Sequence, residues 1–171
     1  MEKYMIQTAR LGLRLIEKSD LPEMAKLNAD PEVRQFFPDG VQTLEQSAAR
    51  LQDFLDFYRD KGIPCFTLFE LESGEFVGRA GFGLIETGEI EAGYMLHKAF
   101  WNKGYASEVL AALLNWANDH IKADFIIGYA PVAHIASQRV MEKCGMQHYK
   151  DETVKDTPCR FYRIANKNPL V

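Results

Sequence analysis

The chain has 171 residues and is 47% hydrophobic, which is enough apolar material for the core of one domain covering residues 1–171. Its net charge of −4 argues against a nucleic-acid-binding protein, because such proteins neutralise phosphates with basic side chains. Three widely spaced cysteines without a CxxC pair favour a reducing compartment, and neither a signal pattern nor an apolar run of about 20 residues indicates export or a membrane span. We therefore expect a cytoplasmic protein that acts without a nucleic-acid or membrane partner.

The first third of the chain carries one strand pattern and two helix patterns. Residues 10–15 alternate apolar and polar side chains, which predicts a strand. A helix is predicted to start near Asp20, which can cap it. A second helix should run over residues 43–61, because Thr43 and Gln46 form a capping-box pair ahead of an apolar stripe.

The middle of the chain predicts a sheet. Residues 65–71, 76–84 and 89–96 are strand-like and are joined by short turns, which indicates an antiparallel meander. A long helix with an apolar stripe follows from about residue 106 to 121, and then a strongly apolar strand at 124–130. Because a strand, a helix and a buried strand form a right-handed crossover, the strand at 124–130 should lie parallel to the strand at 89–96.

The chain ends with a predicted short helix and two strands. The helix covers residues 134–144 and is closed by Gly145. The strands are expected at about 146–150 and 159–165, on either side of a polar turn at 151–156.

The segment 101–108 (WNKGYASE) lies between the last meander strand and the long helix. A strand that leads into a helix through a tight loop leaves unpaired backbone N–H groups at the positive end of the helix dipole, and such groups bind anions. Gly104 lets a ligand approach the backbone, Asn102 tolerates a left-handed turn, and Lys103 adds a cation. The segment predicts a phosphate cradle; plain turn chemistry is the alternative, because the spacing is neither GxxxxGK[ST] nor GxGxxG.

Two other kinds of site find no support in the sequence. The four histidines show no paired spacing and no Cys/His cluster exists, so no metal site is predicted. The GxSxG elbow of a serine hydrolase is also absent.

Two segments resemble the GNAT N-acetyltransferases. Residues 101–106 follow the family's pyrophosphate-binding pattern Q/R-x-x-G-x-G/A, with Trp101 at the first position as in the ribosomal-protein-alanine/serine N-acetyltransferase branch (the RimJ/RimL type). Residues 134–146 (HIASQRVMEKCGM) are similar to that branch's motif N-x-x-S-x-R-V-x-E-K-x-G-F. Further matches at 11–14, 28–33 and 91–94 extend the resemblance over nearly the whole chain.

The resemblance implies a fold and an activity. The fold would be a mixed α/β GNAT fold, with a twisted sheet of about seven strands, about four flanking helices, and acetyl-CoA in the gap between two splayed central parallel strands. The activity would be acetyl-CoA-dependent N-acetyl transfer to a primary amine, either a protein N-terminal α-amine or a small-molecule amine. The alternative is a non-catalytic CoA- or acyl-CoA-binding sensor of the same fold. A homodimer is also expected, since many relatives dimerise.

The resemblance further implies which residues bind CoA. Backbone N–H groups of the 102–107 loop would hold the pyrophosphate, and Met95 and Leu96 would offer backbone groups to the pantetheine arm. His134 stands where the motif has the Asn that contacts the pantetheine; the alternative is a helix-capping or surface histidine. Lys143 would approach the adenosine end. The full expected set is Met95, Leu96, Asn102, Lys103, Gly104, Tyr105, Ala106, Ser107, His134, Ser137 and Lys143.

Acetyl transfer to an amine requires the neutral amine. At pH 7 an α-amine costs about 1 kcal/mol to deprotonate and a lysine nearer 4.5 kcal/mol, so a modestly placed carboxylate can serve an α-amine. Glu89 and Glu91 should point to one side of their strand, and we expect Glu91 to be the general base with Glu89 in reserve. Two alternatives remain: both carboxylates are merely solvated, or they bind a cationic acceptor.

The departing thiolate requires a proton. Many GNAT proteins supply it from a Tyr four residues after the position of Ser137, but that position is Met141 here. By resemblance to the branch, Ser137 is assigned this role, with Tyr149 and His134 as fallback acids. The acceptor would be selected by the 36–40 loop, the 43–61 helix and the final hairpin.

Overall fold

The computed structural model describes residues 3–170, in which eight strands form one mixed sheet flanked by four helices. The strand order is β1-β2-β3-β4-β5-β6-β8-β7. The strands are β1 (Ile6–Gln7), β2 (Leu11–Leu15), β3 (Cys65–Glu70), β4 (Phe76–Leu84), β5 (Ile90–Leu96), β6 (Phe125–Pro131), β7 (Gln147–Val154) and β8 (Thr157–Ala165). The helices are α1 (Leu21–Ala29), α2 (Leu44–Lys61), α3 (Tyr105–His120) and α4 (Ile135–Lys143), with short 3₁₀ turns at Lys18–Asp20 and Lys98–Phe100. The predicted mixed α/β architecture, a sheet with flanking helices, is confirmed.

The predicted order of elements is confirmed, including the meander β3–β4–β5 and the parallel pairing of β5 with β6. Two details differ. The sheet has an eighth strand, β1, whose two residues are too short to give a periodic pattern. The predicted polar turn at 151–156 is wrong, because β7 continues to Val154 and only Lys155 and Asp156 turn, with φ of 47° and 64°.

Local sequence explains where the longer helices begin and end. Thr43 caps α2: its Oγ1 accepts from the Gln46 N–H at 3.2 Å, and the Thr43 N–H donates to Gln46 Oε1 at 2.8 Å. Gly62 ends α2 in the left-handed conformation, with φ of 68°. The predicted capping box is therefore confirmed.

The sheet divides the core into two layers. Helices α3 and α4 pack on one face, where buried side chains such as Phe66, Val109, Leu113 and Ile126 form the largest apolar cluster. Helices α1 and α2 pack on the other face over a smaller cluster that includes Met24, Leu51 and Cys65. Within residues 3–170, no helix has the length and apolarity required to span a bilayer.

The strands β5 and β6 part soon after they meet. Their parallel pairing is limited to Ile90 with Ile126 and Glu91 with Ile127. Beyond Glu91, β5 keeps only its partner β4, so its other edge borders a gap that leads toward the N-terminus of α3.

Candidate active site

The loop between β5 and α3 is the segment for which the sequence predicts a phosphate cradle. Asn102 and Gly104 have φ of 60° and 80°, as expected for the two residue types that tolerate this conformation. The amide N–H groups of residues 102–107 donate no hydrogen bond to any described residue. The first internal bond of the helix joins the Glu108 N–H to the Gly104 carbonyl at 3.1 Å. Six consecutive donors at a helix N-terminus therefore remain available to an anion.

Arg10 braces this loop from the start of β2. Its Nη1 donates to the Lys103 carbonyl at 2.8 Å, and its Nε pairs with Glu108 Oε1 at 2.8 Å. Its guanidinium also lies over the Tyr105 ring, 4.4 Å from the centroid. This contact is not predictable from the sequence, because nothing in the local pattern at residue 10 points to a loop more than 90 positions away.

The β5 edge of the gap offers fewer groups than predicted. The Met95 carbonyl points to β4, directly against the place that a Cβ on Gly78 would occupy. The Leu96 carbonyl accepts from Trp101 Nε1 at 2.9 Å. The His97 N–H donates to the Val77 carbonyl of β4. Along an antiparallel pair, successive residues point their backbone groups alternately toward and away from the partner strand. The N–H and carbonyl of Tyr94 and the N–H of Leu96 therefore point away from β4 and face the gap. The expectation that both Met95 and Leu96 offer backbone groups is thus corrected for Met95.

The start of α4 lies across the gap from β5. His134 is half-buried under the ring of Phe36, with the ring centroids 3.9 Å apart, and burial lowers its pKa. The 36–40 loop therefore reaches the very residue that the sequence assigned to the pantetheine.

One turn into α4, Ser137 meets β5. Its Oγ and the Tyr94 hydroxyl share a hydrogen bond of 3.3 Å. Burial raises the pKa of Tyr94, which keeps the phenol protonated, while the bond to Ser137 opposes that shift. Met141 is buried in the core, where its Sδ packs against Gly128, 2.8 Å from the place that a Cβ would occupy. No local sequence signal singles out the Tyr94 side chain, because its partner lies 43 positions away.

Glu91 lies on the other face of the sheet, at the closed end of the gap. Its side chain folds over Gly83, whose Cβ position would be 3.3 Å from Glu91 Oε1. Burial raises the pKa of Glu91, and the charges of Arg50 and Arg79 oppose this shift only in part. Burial also raises the pKa of Tyr129 to about 12, with a further contribution from Glu91.

Glu89 is held differently. It precedes β5 and accepts hydrogen bonds from Tyr149 at 2.7 Å and from Thr87 at 2.7 Å, with Lys150 at 3.4 Å. Burial works against ionisation, but these hydrogen bonds outweigh it and lower the pKa of Glu89. The pKa of Tyr149 is raised by burial and by the same bond. Glu89 is thus already engaged, and its lowered basicity disfavours it as a base.

Comparison with known proteins gives the family. Residues 10–147 match the acetyltransferase (GNAT) domain, which is most of the chain. The chain belongs to the GNAT family. The N-acetyltransferase p20 of Bacillus licheniformis is 31% identical over 114 residues, which is 65% of this chain and 64% of that protein. FsC-acetyl coenzyme A-N(2)-transacetylase of Aspergillus fumigatus is 29% identical over 164 residues, which is 90% of this chain and 69% of that protein.

The fold comparison agrees. A GNAT-family acetyltransferase from Bacillus anthracis superposes with a TM-score of 0.78 at 25% identity, covering 94% of this chain and 97% of that one. Spermidine N-acetyltransferase from Vibrio cholerae, in complex with CoA and spermine, has the same fold, with a TM-score of 0.77 at 13% identity and coverage of 94% and 98%. At the level of the GNAT family, the chain is an N-acetyltransferase that depends on acetyl-CoA.

The residues present fit the cofactor of a GNAT enzyme. A CoA pyrophosphate requires several donors at one place, and the amides of 102–107 supply them without competition from internal acceptors. The C-terminal end of α4 lies beside this cradle, since Cys144 Sγ contacts the Ser107 carbonyl at 3.5 Å, and exposed Lys143 is its neighbour in sequence. Within residues 3–170, no group of three or more His, Cys, Asp or Glu side chains is arranged to hold a metal.

Proposed function

We propose that this GNAT enzyme acetylates a primary amine, either a peptide N-terminal α-amine or a small-molecule amine, with Glu91 as general base and Ser137 as general acid. The observation that carries the proposal is the position of these two groups on opposite faces of one gap. Glu91 faces α2, whereas Tyr94 faces α4 and meets Ser137 there, because Glu91 and Tyr94 are an odd number of positions apart on β5. An amine entering from the α2 side and a thiol leaving toward α4 would each meet a proton-transfer group.

Glu91 suits the role of base because its pKa is raised. A general base works best when its pKa approaches the working pH, and burial moves Glu91 in that direction. We prefer it to Glu89, whose oxygens are occupied by Tyr149 and Thr87. An α-amine needs only a base of this modest strength, which favours it over a lysine side chain.

On the α4 side, the hydrogen bond between Ser137 and Tyr94 links two hydroxyl groups. Ser137 has an ordinary hydroxyl, which by itself is a poor acid, whereas the Tyr94 phenol can replace the proton that Ser137 gives up. Tyr149 and His134 are weaker candidates, since Tyr149 is bonded to Glu89 and His134 is covered by Phe36.

Acetyl-CoA would supply an acetyl group activated as a thioester. The chain would hold it with the amides of Asn102 to Ser107 at the pyrophosphate and with the gap-facing backbone of Tyr94 and Leu96 along the arm. His134 would lie beside the arm, and Lys143 would lie toward the adenosine. We also place the chain in the RimJ/RimL-type branch, for which the support is Trp101 and the motif at 134–146. A homodimer is part of this proposal and is tested by sedimentation.

The test is to incubate the protein with acetyl-CoA and a panel of peptide and small-molecule amines while following the release of free thiol. We expect release with at least one amine, and a loss of about 10²- to 10⁴-fold in kcat for Glu91→Gln. Glu86→Gln, an exposed carboxylate in the β4–β5 turn, is the matched control and should retain the full rate. Tight CoA binding with no thiol release on any acceptor would instead favour the non-catalytic sensor.

A further inference from the structure

Two arginines on the α2 side of the sheet lie against the same aromatic ring. Arg50 projects from α2 and Arg79 from β4, and their guanidinium carbons are 4.6 Å and 5.1 Å from the centroid of Phe54. Both border the packed space between α1, α2 and β4, together with Asn28 and Ser47, and this space itself has no room for a water molecule. Arg50 is exposed to solvent and Arg79 is partly buried, so the two like charges lie side by side at the edge of this space.

Neither arginine has a carboxylate partner. Among residues 3–170, no carboxylate oxygen lies within 4.0 Å of Arg50 or Arg79. By contrast, the buried or partly buried Arg14 and Arg34 are paired, Arg14 with Asp20 at 2.8 Å and Arg34 with Asp39 at 2.7 Å. Burial lowers the pKa of Arg79, Cys65 and the more distant Glu91 oppose this shift, and the neighbouring Arg50 adds to it, so Arg79 would gain from an anion bound beside it.

The arginines share a face with the proposed base. Arg79 pairs with Met95 across β4 and β5, and Glu91 lies four residues before Met95, about 13 Å along the strand. Between them is Gly93, where a Cβ would have no described atom within 4 Å. The floor between the carboxylate and the guanidinium groups is therefore open.

We propose that the acceptor amine carries a carboxylate, which Arg50 and Arg79 bind while Glu91 receives the amine across the open floor at Gly93. The inference rests on the proposed function, since it takes Glu91 as the base. An arginine fork matches a carboxylate bidentately, and charge-assisted bonds of this kind are the strong ones. A polyamine would instead bring further positive charge next to two unpaired cations.

The test uses acceptors that differ only in the carboxylate. Isoglutamine is compared with glutaminamide as a small molecule, and Ala-Asp-Phe-amide with Ala-Asn-Phe-amide as a peptide. The two pairs thus also show whether the bound carboxylate belongs to a small molecule or to a peptide side chain. We expect the carboxylate member of at least one pair to have a kcat/KM at least about tenfold higher. Putrescine should be a poor acceptor.

Variants of the arginines test whether they cause this preference for carboxylate acceptors. Arg50→Gln should remove the preference mainly by raising the KM of the carboxylate members, and Arg50→Lys should restore part of it. Arg59→Gln is the matched control, because Arg59 is an exposed arginine on the same helix that pairs with Asp56 and Asp60. Equal rates within both pairs, or a preference that survives Arg50→Gln, would overturn the inference.

Equilibrium binding of the same ligands in the presence of CoA separates this inference from the proposed function. Selective binding of the carboxylate members without any product would overturn the function and keep the anion site. Product formed equally from carboxylates and amides would keep the function and overturn the anion site.

Discussion

At Glu91 the requirements of folding and of chemistry oppose each other. Its carboxylate is sheltered over Gly83 at the end of the β5–β6 pairing, where the charged form loses hydration. The same burial that raises the pKa of Glu91 and makes it a better base therefore also means that its ionised form destabilises the folded state.

Glu91→Gln should consequently raise the free energy of unfolding at pH 7 while it lowers activity. The folded state binds the Glu91 proton more tightly than the unfolded state, so the wild-type free energy of unfolding falls as pH rises from the unfolded pKa of about 4.3 through the folded pKa. Below pH of about 4.3 the gain from the substitution should vanish. Chemical denaturation at several pH values measures the gain, and a variant less stable than wild type at pH 7 would contradict it.

The same residue should set the acid limb of the pH profile. If Glu91 is the base, kcat/KM of the wild type falls as pH falls through its raised pKa. The residual activity of Glu91→Gln should lack this limb. A limb unchanged in the variant would assign the titration to another group.

Gly104→Val should abolish CoA binding. Gly104 has φ of 80°, so a β-branched side chain there strains the backbone by about 1–3 kcal/mol and places methyl groups where the phosphate must approach. Gly74→Val is the matched control, because Gly74 has φ of 74° in the β3–β4 turn with open space around it. Calorimetric titration with CoA should show binding lost in the first variant and retained in the second. Unchanged affinity in Gly104→Val would remove the loop from the site.

At the scale of elements, the cradle is built by three segments rather than by one motif. The end of β5 and the start of α3 supply the loop, and the segment before β2 supplies Arg10, which donates to the Lys103 carbonyl and neutralises Glu108. Thr8 adds a hydrogen bond of 2.6 Å to the same carboxylate. The carboxylate of Glu108 would otherwise repel a pyrophosphate at the helix N-terminus.

Arg10→Gln should therefore weaken CoA binding by about tenfold, with little effect on the free energy of unfolding. The ion pair is partly exposed, so its loss should cost less than about 1 kcal/mol of stability, while the unneutralised Glu108 acts directly on the ligand. Titrations with CoA at low and high salt test this, since added salt should narrow the difference. Arg59→Gln should bind CoA as the wild type does, and equal affinities for all three proteins would refute the role of Arg10.

The elements themselves were largely predictable, because their signals are local. The Thr43–Gln46 capping box, the apolar stripe of α3 and the meander turns are short-range patterns, and each was confirmed. The final hairpin was predicted less well, since β7 lies at the sheet edge and its exposed polar residues read as a turn.

At the scale of the whole molecule, the segment after β8 is hydrogen-bonded to the link between α3 and β6. Buried Asn166 follows β8, and its Nδ2 donates to the Ile121 carbonyl at 2.7 Å and to the Ala123 carbonyl at 3.1 Å. Its backbone N–H donates to the Asp124 carbonyl at 2.9 Å. One side chain thus ties the end of the sheet to the link between α3 and β6.

Asn166→Ala should lower the free energy of unfolding by about 1–3 kcal/mol, because two buried carbonyls lose their donor. Lys167→Ala, at the exposed neighbouring position, should have almost no effect. Thermal and chemical denaturation of both variants provide the measurement. A melting temperature of Asn166→Ala equal to that of wild type would show that these bonds contribute nothing net.

The sequence by itself determined the order of strands and helices, the parallel crossover, and the loop with positive φ at Asn102 and Gly104. These features follow from periodicity and turn chemistry within a few residues. Only the tertiary structure decided that Arg10 braces that loop, that Tyr94 meets Ser137, that Glu89 is engaged by Tyr149, and that Arg50 and Arg79 share Phe54. Each of these contacts joins side chains from segments distant in the chain, and no local pattern specifies which partner a side chain meets once the sheet has twisted and the helices have packed on it.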